Sequence, residues 1–299
     1  MSARRGWESP LTPYLLLAPF GGVFLLFTAY PLVQSLGLAF QQTYGPATSR
    51  FVYLENFRNL LADPLFWTAT FNTLVYSACS LLIQLPLSLG LALLLNRPGI
   101  RGRMLFRLAF FSPSLVGIAF VAILFTPLLA KNTGLVNVAL NDLLPHIGLS
   151  WDVEYAWLTD HVMAALVVAS LWMYVGFNMV YFLAALQNVD QSLVEAAEID
   201  GAGVWGKFRY VTLPAIRNVG SFVVLLSLIG SFQLFELPYV MMNFSGGPQN
   251  RGLTVVTYLY QVGFEGVDLG YASAIGWCLA AALLLLALLQ RQLTRKFED

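Results

Sequence analysis

Charge is scarce in this sequence: Asp, Glu, Lys and Arg make up 11% of its 299 residues, against roughly 25% in soluble domains. An ordinary soluble fold is thereby excluded. Cysteine is nearly missing too. Cys79 and Cys278 are the whole supply, each inside an apolar run, and both read as small hydrophobes, not as a disulfide or a metal site. Histidine is limited to His146 and His161; with no ligand-spaced partners and no nucleophile elbow nearby, they indicate neither metal binding nor acyl transfer. A Gly-x-x-x-x-Gly-Lys-Ser/Thr phosphate cradle is absent, so no nucleotide site is read in the chain. The net charge is zero, and no basic patch points to nucleic acid. No cofactor is expected.

What fills the chain is apolar. Hydrophobic residues make up 58% of it, and mean hydropathy is +0.70. Charge-poor runs occupy about 15–40, 73–95, 108–129, 162–186, 219–242 and 272–289, each near or above the roughly 20 residues that cross about 30 Å of hydrocarbon as helix. The expected fold is an all-α integral membrane protein with six transmembrane helices. The first run is too long for a signal-peptide core and lacks a small-residue cleavage site, so it is expected to remain as a span. Prolines at 19, 31, 86, 113, 127 and 238 lie in or near the runs. Neighbouring helices re-satisfy the carbonyls they free, and kinks are expected, not breaks. The chain thus divides into a segment 1–14, a transmembrane domain 15–290 carrying a polar loop at 187–217, and a tail 291–299.

Six crossings put both termini on one side. That side and the loops near 100 and 200 receive Arg4, Arg5, Arg97, Arg101, Arg103, Arg107, Lys207, Arg209, Arg217, Arg291, Arg295 and Lys296, while Arg50, Arg58, Lys131 and Arg251 fall opposite. The bias places both termini and the 187–217 loop in the cytoplasm. Trp67, Trp151 and Trp157 lie near outer span ends, where indole rings anchor at headgroup level. The outer loops 41–71, 130–161 and 243–271 exceed common loop lengths. Asp142, Asp152, Glu154 and Asp160 make the second of them acidic, either as a solvated surface or as a contact for a basic partner.

The most informative segment is Leu193-Val-Glu-Ala-Ala-Glu-Ile-Asp-Gly-Ala-Gly-Val-Trp-Gly-Lys-Phe-Arg-Tyr-Val-Thr-Leu-Pro214. Residues 193–200 make about two helical turns with Glu195 and Glu198 on one face. Gly201 suits a sharp turn, residues 205–210 make a second short helix, and Pro214 is expected to redirect the chain into the fifth span. A helix-turn-helix knuckle between two rigid spans suits mechanical transmission. Clustered Glu195, Glu198 and Asp200 fit poorly with a connector lying on an anionic leaflet.

Glu195, Ala196, Ala197, Asp200, Gly201, Ala202, Phe208, Leu213 and Pro214 stand where the EAA loop of ABC importer permeases has them, and the segment closely resembles that loop. The likeness extends over nearly the whole chain, through Leu17-Ala-Pro-Phe20, Tyr30-Pro-Leu32, Leu54-Glu-Asn-Phe57, Asn72-Thr73, Phe106-Arg107, Trp157-Leu158, Phe232-Gln-Leu-Phe-Glu236, Gly246-Gly-Pro248 and Gly270-Tyr-Ala-Ser-Ala274, and is strongest to the carbohydrate (maltose and glycerol-phosphate) branch. It departs at Asp190, where proline is frequent, and at residues 243–245, where a threonine is usual. The resemblance implies a type I importer permease fold in a bacterial or archaeal cytoplasmic membrane. It also implies a second homologous permease as heterodimer partner, two ATP-binding cassette ATPase subunits, and an extracytoplasmic solute-binding protein. Glu195, Ala196, Ala197, Asp200, Gly201, Leu213 and Pro214 would then couple to the ATPase, and the chain would have no catalytic site of its own.

Polar groups inside spans are costly and call for a function. Glu236 is the only acid in the expected spans, and Gln233, one turn earlier, would share its helix face. With Asn72, Tyr174, Asn178 and Phe232 they form a candidate substrate path, since amides and carboxylates read sugar hydroxyls and rings read C–H faces. The rival reading is an ion-coupled secondary transporter of a small polar solute. It requires coupling-ion sites and usually an internal repeat; Glu236 is thin support and no repeat is evident.

Overall fold

The computed structural model describes residues 11–44, 48–146, 148 and 154–296. Arg4, Arg5, Trp151 and Asp152 lie outside these, as do the side chains of Arg295 and Lys296. In chain order the helices are α1 (Thr12–Phe24), α2 (Tyr30–Leu38), α3 (Glu55–Ala62), α4 (Pro64–Asn96), α5 (Arg103–Phe111), α6 (Ile118–Leu128), α7 (Leu135–His146), α8 (Val162–Gln187), α9 (Gln191–Ile199), α10 (Val204–Lys207), α11 (Leu213–Phe232), α12 (Glu236–Met241), α13 (Val255–Tyr260) and α14 (Leu269–Lys296). A short antiparallel hairpin, β1 (Gln41–Tyr44) with β2 (Thr48–Phe51), is a small exception to an all-α fold. Among the described residues, five helical segments are long and apolar enough to cross a membrane, and one bent pair makes a sixth if it counts as a single span.

That bent pair corrects the expectation of kinks without breaks. The 108–129 run divides into α5, a 3₁₀ turn at Ser112–Leu115, and α6, with a bend of 98°. Pro113 opens the 3₁₀ turn, and extended backbone at Val116 and Gly117 (ψ 136° and 138°) separates the two helices. Hydropathy reads through this break because the residues that make it are themselves apolar. The 219–242 run is also interrupted, between α11 and α12, where Phe235 leaves helical backbone at φ −133°. The freed Leu234 carbonyl accepts the Thr254 hydroxyl at 2.7 Å, so that acceptor is not orphaned.

Proline is absorbed elsewhere by widened turns. Five-residue π turns at Leu25–Ala29 and Phe208–Thr212 each end two residues before a proline, Pro31 and Pro214. A proline lacks an N–H and pushes on the carbonyl four residues back, and a π turn relieves both. Pro214 therefore does not redirect the chain: helical backbone continues from Val204 to the fifth span. The second span also begins earlier than 73, at Pro64, so Asn72 lies inside α4 and not at its head.

The chain divides into two compact units, Met1–Asp63 with Leu259–Ala280, and Pro64–Tyr258 with Ala281–Asp299. In the first, polar ties hold the loops. The buried Asn56 amide donates to the Ala39 and Gln41 carbonyls at 2.9 and 2.8 Å, and the Tyr271 hydroxyl donates to Asp63 at 2.9 Å. α1 and α2 bury no residue within the chain.

In the second unit α8 is the central element, with more than half of its apolar window buried. One core gathers Val121, Phe125, Leu166, Met173 and Leu237, and another Met179, Phe182, Leu186, Ile216 and Val223. α4 and α8 pack along a polar seam: Ser88 donates to Val175 O at 2.9 Å, and the Tyr76 and Ser170 hydroxyls lie 2.6 Å apart. Hydroxyl contacts and small residues hold helices together in lipid, where the hydrophobic effect between them is weak. Gly176 of α8 follows that rule, for a Cβ there would overlap the Phe110 carbonyl at the end of α5.

Candidate functional site

A cavity of about 440 Å³ opens within the second unit. Three helices present polar residues to it at a spacing of four, which keeps them on one face: Tyr76, Ser80 and Gln84 from α4, Tyr174 and Asn178 from α8, and Ser227 and Ser231 from α11. The break after α11 adds Gln233, Leu234 and Phe235, and α12 adds Glu236. Irregular backbone at such depth is tolerated where it lines a cavity or is buried in protein. Ser80 donates to Gln84 Oε1 at 3.1 Å, and the Asn178 amide donates to Ser227 at 3.1 Å.

Of the six residues expected along a path, Tyr174, Asn178, Gln233 and Glu236 line this cavity, while Asn72 and Phe232 do not. The Asn72 amide instead donates to the carbonyls of Asn250 and Leu253 at 2.8 and 3.0 Å, and neighbouring Thr73 accepts the Val255 N–H at 3.0 Å. The pair holds a loop that needs holding: Asn243, Phe244, Gln249 and Asn250 all adopt positive φ. Phe232 is buried in packing, and Phe235 takes the cavity position. Gln233 and Glu236 do not share a helix face, because the break lies between them. They meet in one cavity all the same. Tyr76, Ser80, Gln84, Phe177, Ser227, Ser231 and Phe235 went unread in the sequence, although polar residues recurring every four positions through apolar runs were the available signal.

The knuckle is built from α9 and α10. Asp190 caps α9, its carboxylate accepting the Ser192 N–H at 2.9 Å. That bond favours the charged form and holds the carboxyl below its ordinary range. Its capping is therefore present above the ordinary carboxylate range and is lost as pH falls through the lowered value. Gly201 follows at φ +80°, with Ala202 N–H reaching back to Ala197 O at 2.9 Å, a Schellman-type stop. Lys207 of α10 donates to Glu198 of α9 and ties the two arms. Glu195, Ala196, Asp200, Gly201 and Pro214 are exposed, and Ala197 and Leu213 half-buried. Large apolar side chains stand beside them in the open, with Ile199 at 87% and Tyr210 at 79% exposure, accompanied by Val204 and Trp205. Such a patch marks an interaction surface, for a protein or for the membrane. In the 130–161 and 243–271 loops, Glu154 pairs with Lys131 at 3.4 Å and Asp160 with Arg251 at 3.2 Å, so two of the four acids read as a surface are engaged within the chain.

A polar cavity walled by membrane-length helices α4, α8 and α11, with an apolar knuckle between the last two, is the build of a transmembrane transport subunit. The chain belongs to the family of binding-protein-dependent transport system inner membrane components, whose profile matches residues 84–299. It is 38% identical to the arabinooligosaccharides transport system permease protein of Halalkalibacterium halodurans over 96% of this chain and 89% of that one. The fold superposes with a TM-score of 0.81 and 26% identity on a chain of a bacterial ABC transporter involved in import of the acidic polysaccharide alginate, covering 96% of each chain. A bacterial alginate ABC transporter in complex with an alginate pentasaccharide-bound periplasmic protein matches at TM-score 0.80 and 25% identity, over 95% of this chain and 94% of that one.

Proposed function

We propose that the chain forms half of the transmembrane path of an ATP-driven importer for a carbohydrate, pairing with a second, similar permease and working by alternating access. The observation that carries this is the cavity wall. Hydroxyls, amides and one carboxylate stand beside the rings of Tyr76, Tyr174, Phe177 and Phe235, the combination that reads sugar hydroxyls and C–H faces together. The oligosaccharides named for its relatives support the same solute class. Two ATPase subunits and a solute-binding protein complete the assembly, the latter supported by the related complex with a periplasmic protein.

In this assembly Glu195, Ala196, Ala197, Asp200, Gly201, Leu213 and Pro214 belong to the ATPase-coupling knuckle, with Ile199, Val204, Trp205 and Tyr210 supplying its apolar contact. Both termini and the knuckle face the cytoplasm. A reporter fused after Asp299 is expected to be cytoplasmic and one inserted at Asp142 extracytoplasmic; both reporters on one side would rule out this orientation.

Cavity residues are expected to separate by their bonding. Gln233→Ala removes an exposed amide and lowers uptake about tenfold while leaving assembly unchanged. Asn178→Ala lowers uptake too, and also removes the hydrogen bond to the half-buried Ser227 hydroxyl, costing about 0.5–1.5 kcal/mol of stability. Uptake assays in proteoliposomes and thermal unfolding of the purified assembly read the two effects. Wild-type uptake in the Gln233 variant across substrate concentrations would remove that residue from the path. The ion-coupled rival predicts transport by this chain alone under an ion gradient, whereas an importer permease without its ATPase is inert.

A further inference from the structure

The cavity is polar without being cationic. Glu236 is the single charged residue in its lining, with no Lys, Arg or His beside it. Its carboxylate forms no hydrogen bond or ion pair among the described residues. The helices that wall the cavity are equally bare: α4, α6 and α8 carry no Lys or Arg, and α11 carries Arg217 alone. Arg217 is exposed and fourteen residues before Ser231, about 21 Å along the helix.

An ionised carboxylate only accepts hydrogen bonds. A neutral sugar brings hydroxyls that donate to it, and such charge-assisted bonds are the strong ones. A uronate or phosphate ester brings acceptors and a like charge, and this chain's wall of the path holds no cation to offset either. We propose that Glu236 is the specificity-determining charge filter of this permease, admitting neutral carbohydrate and rejecting anionic carbohydrate. The proposal rests on the carbohydrate reading above and narrows it.

The test uses the complete importer in proteoliposomes with ATP and its solute-binding protein. Arabinotriose and the aldonic acid made by oxidising its reducing end serve as matched probes, with uptake divided by the binding protein's own occupancy for each. Two like charges about 8 Å apart at an effective dielectric of about 20 repel enough to reduce occupancy about 30-fold, and the wild-type neutral-to-acidic ratio is expected near that value. Glu236→Gln should bring the ratio below about threefold and, decisively, raise the absolute rate for the acid, which damage to the fold cannot do. An unchanged ratio in Glu236→Gln, with arabinotriose still carried, overturns the filter and leaves the importer reading standing. Equal wild-type rates for the two probes overturn it as well, and this measurement needs no variant to fold. If the wild type, with ATPase and binding protein present, carries neither arabinotriose nor any other neutral sugar that the binding protein binds, the carbohydrate reading and the filter are overturned together.

Discussion

Gly176→Leu is expected to leave no monodisperse, folded protein after extraction from the membrane, while Gly90→Leu behaves as wild type. The two glycines sit in apolar helices and look alike in sequence. Around Gly90 a Cβ meets nothing within 4 Å, whereas at Gly176 it collides with the Phe110 carbonyl and the Phe111 nitrogen. Those are backbone atoms at the end of α5, so relief requires moving a helix and not rotating a side chain. Overpacking of an ordinary core costs about 1–3 kcal/mol, and displacement of a backbone exceeds that range. The damage also reaches the cavity, since Tyr174, Phe177 and Asn178 flank Gly176. Size-exclusion profiles of detergent-solubilised protein decide the matter, and a normal profile for the Leu variant would remove the close approach of α5 to α8 from the account.

The second large effect is expected at Gly201, for a different physical reason. Nothing within 4 Å would meet a Cβ there, so the cost of substitution is conformational alone. An L-residue forced to the left-handed backbone loses about 1–2 kcal/mol, and a β-branched one is worse still. Gly201→Val should therefore open the stop between α9 and α10, stay in the membrane, and lose at least tenfold in ATPase co-purification and uptake. Gly201→Asn should recover most of both, because asparagine tolerates φ near +80°. If the valine variant keeps wild-type association and transport, the knuckle is not the lever.

The knuckle was the most legible part of the molecule. Its two short helices and its glycine turn are local, and local chemistry fixes them: an N-cap at Asp190, small residues at 196 and 197, and a left-handed stop at Gly201. The departure from the related pattern at Asp190 also has an explanation, since the carboxylate caps α9. Hydropathy located the membrane-length helices for a similar reason, as length and apolarity are properties of the segment itself. The break at Val116 and Gly117 escaped because apolar residues make it, and a window average cannot distinguish an apolar bend from an apolar helix. The same averaging hid the interruption at Gln233–Leu234–Phe235, which exchanged Phe232 for Phe235 in the cavity wall. Asn72 was misplaced because its partners are carbonyls nearly 180 residues away, and no local pattern announces them. The polar faces of α4 and α11 were within reach of a periodicity argument, through Tyr76, Ser80 and Gln84 and through Ser227 and Ser231.

The wide turn at Phe208–Thr212 bears on how motion is aimed. A π turn holds one residue more than the α-helical ladder, and each residue of an α-helix advances the azimuth by about 100°. The turn therefore sets a phase angle between α10, with Trp205 and Lys207, and α11, with Ser227 and Ser231. On the coupling role proposed for the knuckle, that angle decides, like the offset between two cams keyed on one shaft, which flank of the cavity receives its push. A one-residue insertion or deletion in 208–212 would barely alter the length of the rod, yet it would re-time the stroke by more than a quarter revolution.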